Sequence, residues 1–234
     1  ATTSLLGGVI GVRPGTLKLK DINNDGVVDL DDRTVIGDTN PTCSGGFGFN
    51  ATYKDFDFTA NFTYSVGNDI YNANKIATTQ QYRSGTYPNM LKIMSQSNSY
   101  SYLNQETGLL LTSLEELAAA NEGANAKEYW SPYSLGNATI IPTDWALEDA
   151  SYLRLQSVTL GYTLPTKLTK QVGIQRCRFY VTASNLFCIT GYSGYDPEVS
   201  SYSRNSSYSG LTPGIDYSSY PKSRAFTFGL NVTL

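Results

Sequence analysis

The densest chemistry in the chain lies in one run, Asp21-Ile22-Asn23-Asn24-Asp25-Gly26-Val27-Val28-Asp29-Leu30-Asp31-Asp32. Oxygen-bearing side chains stand at its first, third and fifth positions, a glycine at the sixth and a carboxylate at the twelfth. That order lets a loop wrap a hard cation in oxygen ligands. The spacing suits calcium: Asp21, Asn23 and Asp25 ligate through side chains, Val27 through its carbonyl, Asp29 directly or through water, and Asp32 last. Asp32 is one methylene shorter than the Glu usual at that place, so it reaches with one oxygen or draws the loop tighter. A second reading fits the same residues: a succession of Asx turns, in which side-chain oxygens accept backbone N–H groups and no ion is held. No long amphipathic helix flanks the run, which favours a structural clip over a sensor that opens a helix pair.

Other catalytic chemistry is sparse. The chain has no His, no Gly-x-Ser-x-Gly elbow and no phosphate-binding loop, so it is not expected to be an enzyme. Glu115, Glu116, Glu122 and Glu128 read as a solvated helix face and loop rather than as an acid pair. Cys177 and Cys188 bracket one expected strand and stand roughly 36 Å apart at about 3.3 Å per residue, too far to bridge. With Cys43 the only other cysteine, free thiols are expected. A net charge of -3 offers no basic run for phosphates and excludes a nucleic-acid partner.

The residues that must position these groups alternate in type. Phe226, Phe228, Leu230, Val232 and Leu234 share one side of the last stretch, and Ala225, Thr227, Gly229, Asn231 and Thr233 share the other. Phe47, Phe49, Ala51 and Tyr53 form one apolar side, and Phe56, Phe58, Ala60, Phe62, Tyr64 and Val66 another. Only Lys54-Asp55 lies between, which predicts a tight hairpin. A further strand is predicted over 151–162, where Leu153 and Leu155 are out of phase with Val158, Leu160 and Tyr162, so a β-bulge is expected near Gln156 and Ser157. Another follows over 176–187. The opening residues read as a glycine-rich loop, Leu5 to Gly11, leading to a short strand over 16–20. Between strands the chain makes an eighty-residue excursion from Gly67 to Asp149. It holds a capping box at Ser113 and Glu116 that starts a short helix. Its Tyr82, Tyr87, Tyr100, Tyr102, Tyr129, Trp130, Tyr133 and Trp145 are expected to pack the excursion itself.

The strands predict an all-β chain. Their length approaches the roughly nine to eleven residues that a tilted membrane strand needs. Their faces suit a transmembrane antiparallel β-barrel, apolar outside and polar inside. There is no apolar run of about eighteen residues, but a mean hydropathy of -0.27 is compatible with such a barrel. Short connections at one end and long ones at the other match short periplasmic turns and long extracellular loops. The chain then divides into an extracellular loop with the Asp-rich motif (1–43), a β-hairpin of barrel wall (44–66), a long extracellular loop with a short helix (67–149), two barrel strands joined by a periplasmic turn (150–187), an extracellular loop (188–222) and a final barrel strand (223–234). Five strands do not close a barrel, for which about eight is the minimum. Open edges in lipid would cost several kcal/mol for each orphan polar group. Neighbouring strands from elsewhere are therefore expected.

Several motifs occur together and in order: Asp21-Ile22-Asn23-Asn24-Asp25-Gly26 through Asp32-Arg33-Thr34-Val35-Ile36-Gly37, Gly67-Asn68-Asp69-Ile70-Tyr71-Asn72, Ser151-Tyr152-Leu153-Arg154-Leu155, Leu160-Gly161-Tyr162, Asn185-Leu186-Phe187, Tyr192-Ser193-Gly194-Tyr195-Asp196-Pro197-Glu198 and Tyr220-Pro221 before Phe228-Gly229-Leu230. From Thr16 onward the chain thus resembles the C-terminal part of the SusC/RagA family of TonB-linked outer-membrane transporters. It departs from the family pattern at Leu234, where a Phe is usual, and after Trp130, where an Asn-Pro-Asn-Thr-like run is missing. The resemblance implies the last about five strands of a 22-stranded barrel in the outer membrane of a Gram-negative bacterium, with lipid around it. It implies as partners the N-terminal plug and barrel portion of the same transporter, TonB acting through that portion, a SusD-like surface lipoprotein, and an oligosaccharide or peptide substrate. The alternative is a soluble calcium-stabilised carbohydrate-binding or adhesion β-domain.

Overall fold

The period-two segments form strands, and their register decides which side chains share a face. The computed structural model describes residues 2–3, 14–17, 19–79, 89–132, 143–198, 214–217 and 220–234. In chain order the strands are β1 (Thr2–Thr3), β2 (Val27–Val28), β3 (Cys43–Tyr53), β4 (Phe56–Val66), β5 (Asp69–Asn72), β6 (Leu147–Asp149), β7 (Tyr152–Thr163), β8 (Arg176–Thr190), β9 (Ile215–Asp216) and β10 (Ala225–Thr233). The helices are α1 (Ala73–Ala77), α2 (Leu114–Asn121) and α3 (Thr166–Thr169). The chain falls into two compact units, one of Ala1–Ile36 with Ala73–Ala146, the other of Gly37–Asn72 with Leu147–Leu234.

The second unit is built on a five-stranded sheet in the order β10-β8-β7-β4-β3, antiparallel throughout. Its strands are 11, 11, 12, 15 and 9 residues long in chain order. The hairpin turns at Lys54 and Asp55 as expected, with Lys54 in the left-handed region at φ 55°. The bulge also falls where the phase slip placed it. Leu155 pairs with Phe187 and Ser157 with Ser184, so Gln156 lies opposite Asn185 and Leu186, and Asn185 takes φ 53°. The extra residues restore the phase: Leu153, Leu155, Val158 and Leu160 all stand opposite the apolar positions Tyr64, Phe62, Ala60 and Phe58 of β4.

A second, small sheet in this unit was not foreseen from sequence. Strand β5 pairs antiparallel with β6 and parallel with β9, tying the chain at Tyr71 to Leu147 and to Ile215. Beneath it Ile70, Ala150 and Tyr192 form a buried cluster. The excursion predicted over 67–149 is thus strand at both margins, and β8 runs on to Thr190, three residues past its expected end.

The first unit holds the Asp-rich run and most of the excursion. Helix α2 starts in the expected capping box: Ser113 Oγ accepts from Glu116 N at 3.1 Å, and Glu116 Oε2 accepts from Ser113 N at 3.3 Å. It ends at the buried Asn121, whose Oδ1 accepts from Ser101 N at 2.7 Å and whose Nδ2 donates to Ser101 O and Leu117 O. The aromatics of this unit pack on each other, as expected. Tyr100 meets Tyr102 edge-on at 5.4 Å, and Trp130 meets Trp145 at 4.7 Å. Lys75 Nζ lies 4.4 Å from the Trp145 ring centroid. Tyr82, Tyr87, Tyr133 and the Leu5 to Gly11 stretch lie outside the described residues, as does Lys18. The described part of 16–20 contains no strand.

Candidate functional site

Each strand of the five-stranded sheet sends alternate side chains to opposite sides, and the two sides differ in chemistry. Register places Phe47, Phe62, Leu155 and Phe187 in one cross-strand row, and Phe58, Leu160, Val181 and Phe228 in another. Phe47 stacks on Phe62 with ring centroids 5.0 Å apart, and Phe56 meets Tyr162 at 4.6 Å. Except for the buried Leu155, these residues remain open to the outside: Phe47 is 53% exposed, Leu160 53% and Phe228 77%. Soluble monomers rarely leave apolar patches beyond a few hundred Å² uncovered. A continuous aromatic and aliphatic wall of this extent matches a surface whose solvent is lipid.

The opposite side is polar and internally hydrogen-bonded. Thr59 Oγ1 donates to Asn50 Oδ1 at 2.8 Å, Asn61 Nδ2 donates to Ser157 Oγ at 3.1 Å, and Thr159 and Thr182 share a hydroxyl bond of 2.8 Å. Near the hairpin end Arg178 forks onto Asp57, Nε to Oδ1 at 2.8 Å and Nη2 to Oδ2 at 2.5 Å. The pair spans strand β7 above Gly161. A β-carbon there would run into both the guanidinium and the Asp57 carboxylate, so the glycine opens the path for the fork.

At the other end of the sheet, Arg154 is buried on the polar side and Asp196 is buried with it. Arg154 Nη2 donates to Asp196 Oδ1 at 2.5 Å, and its Nε lies 2.8 Å from Glu198 Oε2, an ion-pair approach without hydrogen-bond alignment. Lys222 Nζ meets the same Glu198 oxygen at 2.5 Å. The Asp196-Pro197-Glu198 segment is thereby fastened to β7. Beside the small sheet, Tyr192 donates its hydroxyl to the buried Asp216 at 2.6 Å; burial, then that bond to a carboxylate, pushes the phenol pKa far up.

The Asp-rich run forms one closed loop. Asp21 accepts from Asn24 N at 2.6 Å and Gly26 N at 2.8 Å, Asn23 Oδ1 from Asp25 N at 2.9 Å, and Asp25 Oδ1 from Val27 N at 2.8 Å. Asp29 Oδ1 accepts from Asp31 N at 2.9 Å. Asp32 is the pivot: its Oδ1 takes Ile22 N at 2.6 Å and Asn23 N at 3.3 Å, and its Oδ2 takes Asp29 N at 2.8 Å. The amides of Asp29 and then Ile22 hold the Asp32 carboxyl below the usual carboxylate range. Gly26 sits at φ 88°, a region that only glycine enters freely. The six residues singled out by spacing are therefore brought into one loop, with the side chains of Asp21, Asn23, Asp25, Asp29 and Asp32 turned to backbone amides. Among the described residues, no three His, Cys, Asp or Glu side chains group around a point that could hold an ion.

Comparison with known proteins places these surfaces in context. No family model matches the chain. It is 31% identical over 226 residues to TonB-dependent receptor P3 of Formosa agariphila, an alignment covering 94% of this chain and 19% of that receptor. It is 29% identical over 221 residues to the TonB-dependent receptor SusC of Bacteroides thetaiotaomicron, covering 91% of this chain and 17% of SusC. Among solved structures, the RagAB peptide importer in its closed-closed state matches 83% of this chain and 17% of its own, with 27% identity and a TM-score of 0.57. The chain thus spans about a fifth of the length of the curated relatives it matches.

Proposed function

Since this chain is homologous to one stretch of the SusC/RagA-type TonB-dependent receptors, we propose that it supplies a five-strand section of the outer-membrane wall of a nutrient importer. The complete importer is a closed barrel of 22 strands with a plug, driven through TonB, that takes up oligosaccharides or peptides with a SusD-like lipoprotein at the cell surface. The strands Cys43–Tyr53, Phe56–Val66, Tyr152–Thr163, Arg176–Thr190 and Ala225–Thr233 face lipid with their aromatic side and the barrel interior with their hydrogen-bonded side. One observation carries this reading: the open apolar wall backed by a polar, hydrogen-bonded face. A soluble adhesion or carbohydrate-binding domain would cover that wall with a second layer, and among the described residues of the second unit the five-stranded sheet is accompanied by one small three-stranded sheet. Both edges of the sheet, β10 and β3, then pair with strands supplied by the rest of the barrel.

The wall's own residues shape the interior. Arg178 and Asp57 neutralise each other on the polar side, so the fork adds no net charge to that end. Arg154 and Asp196 hold the second long connection against the sheet. The loop Asp21–Asp32 serves as a structural calcium clip, with Asp21, Asn23, Asp25, Val27, Asp29 and Asp32 as its donors. Support comes from the order of the oxygen donors and from lone pairs left on Asp21 and Asp25, each of whose bonded oxygens accepts one amide. Titration with calcium should slow hydrogen exchange across residues 21–32, and chelator should reverse it. Exchange that ignores calcium would leave the loop as an ion-free set of Asx turns.

Fractionation of native cells tests the reading as a whole. The polypeptide should sit in the outer-membrane fraction, leave it only with detergent, and bring a surface lipoprotein with it. Recovery as a detergent-free monomer would contradict it.

A further inference from the structure

Charge and apolar surface are unevenly placed along the five-stranded sheet, and both gather at its short-turn end. Residues 53–57 and 163–178 carry five cations against two carboxylates, in a chain whose net charge is -3. Asp57 and Arg178 cancel each other. Lys54, Lys167 and Lys170 remain beside the single carboxylate Asp55, all three lysines exposed and none with a carboxylate partner among the described ion pairs, while Arg176, opposite Thr233, shares the polar side with Arg178. The backbone brings them together. Thr163 N donates to Asp55 O at 2.8 Å, setting the link after β7 against the hairpin, and Gln175 N donates to Thr233 O at 2.9 Å, strapping its far end beneath β10.

Between these cations the link exposes two aliphatic side chains, Leu168 at 59% and Val172 at 71%. Just above it runs one aromatic row set by register, Tyr53, Phe56, Tyr162 and Phe179, on four adjacent strands. Aromatic side chains with a polar tip favour the depth where acyl chains meet headgroups, and cations with a neighbouring apolar residue favour the layer just beyond. The row and the link lie in that order on the same surface, continuous with the apolar wall.

We propose that this end of the sheet is a seat for anionic phospholipid headgroups. Lys54, Lys167 and Lys170 lie among the phosphates, and Leu168 and Val172 dip into the acyl boundary. The row Tyr53, Phe56, Tyr162 and Phe179 marks the membrane interface. The seat rests on the membrane-wall reading above and fixes the depth and tilt of that wall through phosphate contacts.

The test is flotation of the full chain, diluted from detergent onto phosphatidylcholine vesicles with and without phosphatidylglycerol, at low and high salt. Each lysine near an anionic surface contributes roughly fivefold to partitioning. Wild-type chain should therefore favour the anionic vesicles, salt should erase the preference, and K167Q/K170Q should reduce it about twentyfold. Lys92→Gln, in the other unit, should leave it unchanged. L168S/V172S should weaken flotation on both vesicle types. Equal flotation on both vesicle types at low salt, or a preference untouched by K167Q/K170Q, overturns the seat while the wall stands. Flotation on anionic vesicles alone defeats the wall, and with it a seat placed at the wall's margin. Flotation on neither defeats both.

Discussion

At the scale of single residues, the side chains that matter most are those that gather several partners or reach across strands. Asp32 closes the Asp-rich loop on three amides, and its carboxyl titrates below the ordinary value of 3.8 because those amides favour the charged form. A depressed folded pKa contributes stability that is complete above the unfolded pKa and lost as pH falls through the folded one. Protection at residues 22–29, the observed exchange divided by its intrinsic rate at each pH, should thus be constant at neutral pH and fall below about pH 4. Asp32→Asn, whose amide nitrogen cannot accept from Asp29 N, should show the lowered protection already at neutral pH. Gly161 makes a second case. Gly161→Ala displaces the Arg178–Asp57 fork and should cost about 1–3 kcal/mol in denaturant unfolding from detergent micelles. In an Asp57→Ala/Arg178→Ala background the same change should cost much less, since the collision is gone. Asp196→Ala leaves the buried Arg154 guanidinium without its closest carboxylate and should cost about 3–5 kcal/mol in the same assay.

At the scale of elements, the long strands were legible because a period of two writes the face of each side chain directly into the residue order. The bulge was legible for the same reason, since Leu155 and Val158 could not otherwise share a side. The small sheet was not. Its strands are two to four residues long, too short to show a period, and Tyr71 finds Ile215 only through the closed fold. The Arg154–Asp196 pair was hidden likewise, its members 42 residues apart with nothing local to link them. In the Asp-rich run the order of donors was legible, but it fits an ion and a set of Asx turns alike, because both demand short oxygen side chains beside a glycine. The bulge itself predicts an outcome. Deleting Gln156 shifts the phase of β7 by one, turning Arg154 toward lipid or Val158 and Leu160 toward the polar side. The deletion variant should fail to reach the outer membrane, as read by fractionation, whereas Gln156→Ala should reach it normally.

At the scale of the molecule, both readings of fold and function converge on a sheet that is polar and hydrogen-bonded on one side and apolar and uncovered on the other. The open face is explained if lipid covers it, and the free edges if the sheet continues into strands on either side, as the likeness to one part of much longer TonB-dependent receptors supports. The most direct measurement is a nitroxide scan along Phe56–Val66 of the membrane-embedded protein, with Cys43, Cys177 and Cys188 first replaced by alanine. Labels at positions 56, 58, 60, 62, 64 and 66 should collide freely with oxygen dissolved in the bilayer, and labels at 57, 59, 61, 63 and 65 should not. Loss of that alternation, or its inversion, would contradict a wall that faces lipid with its aromatic side.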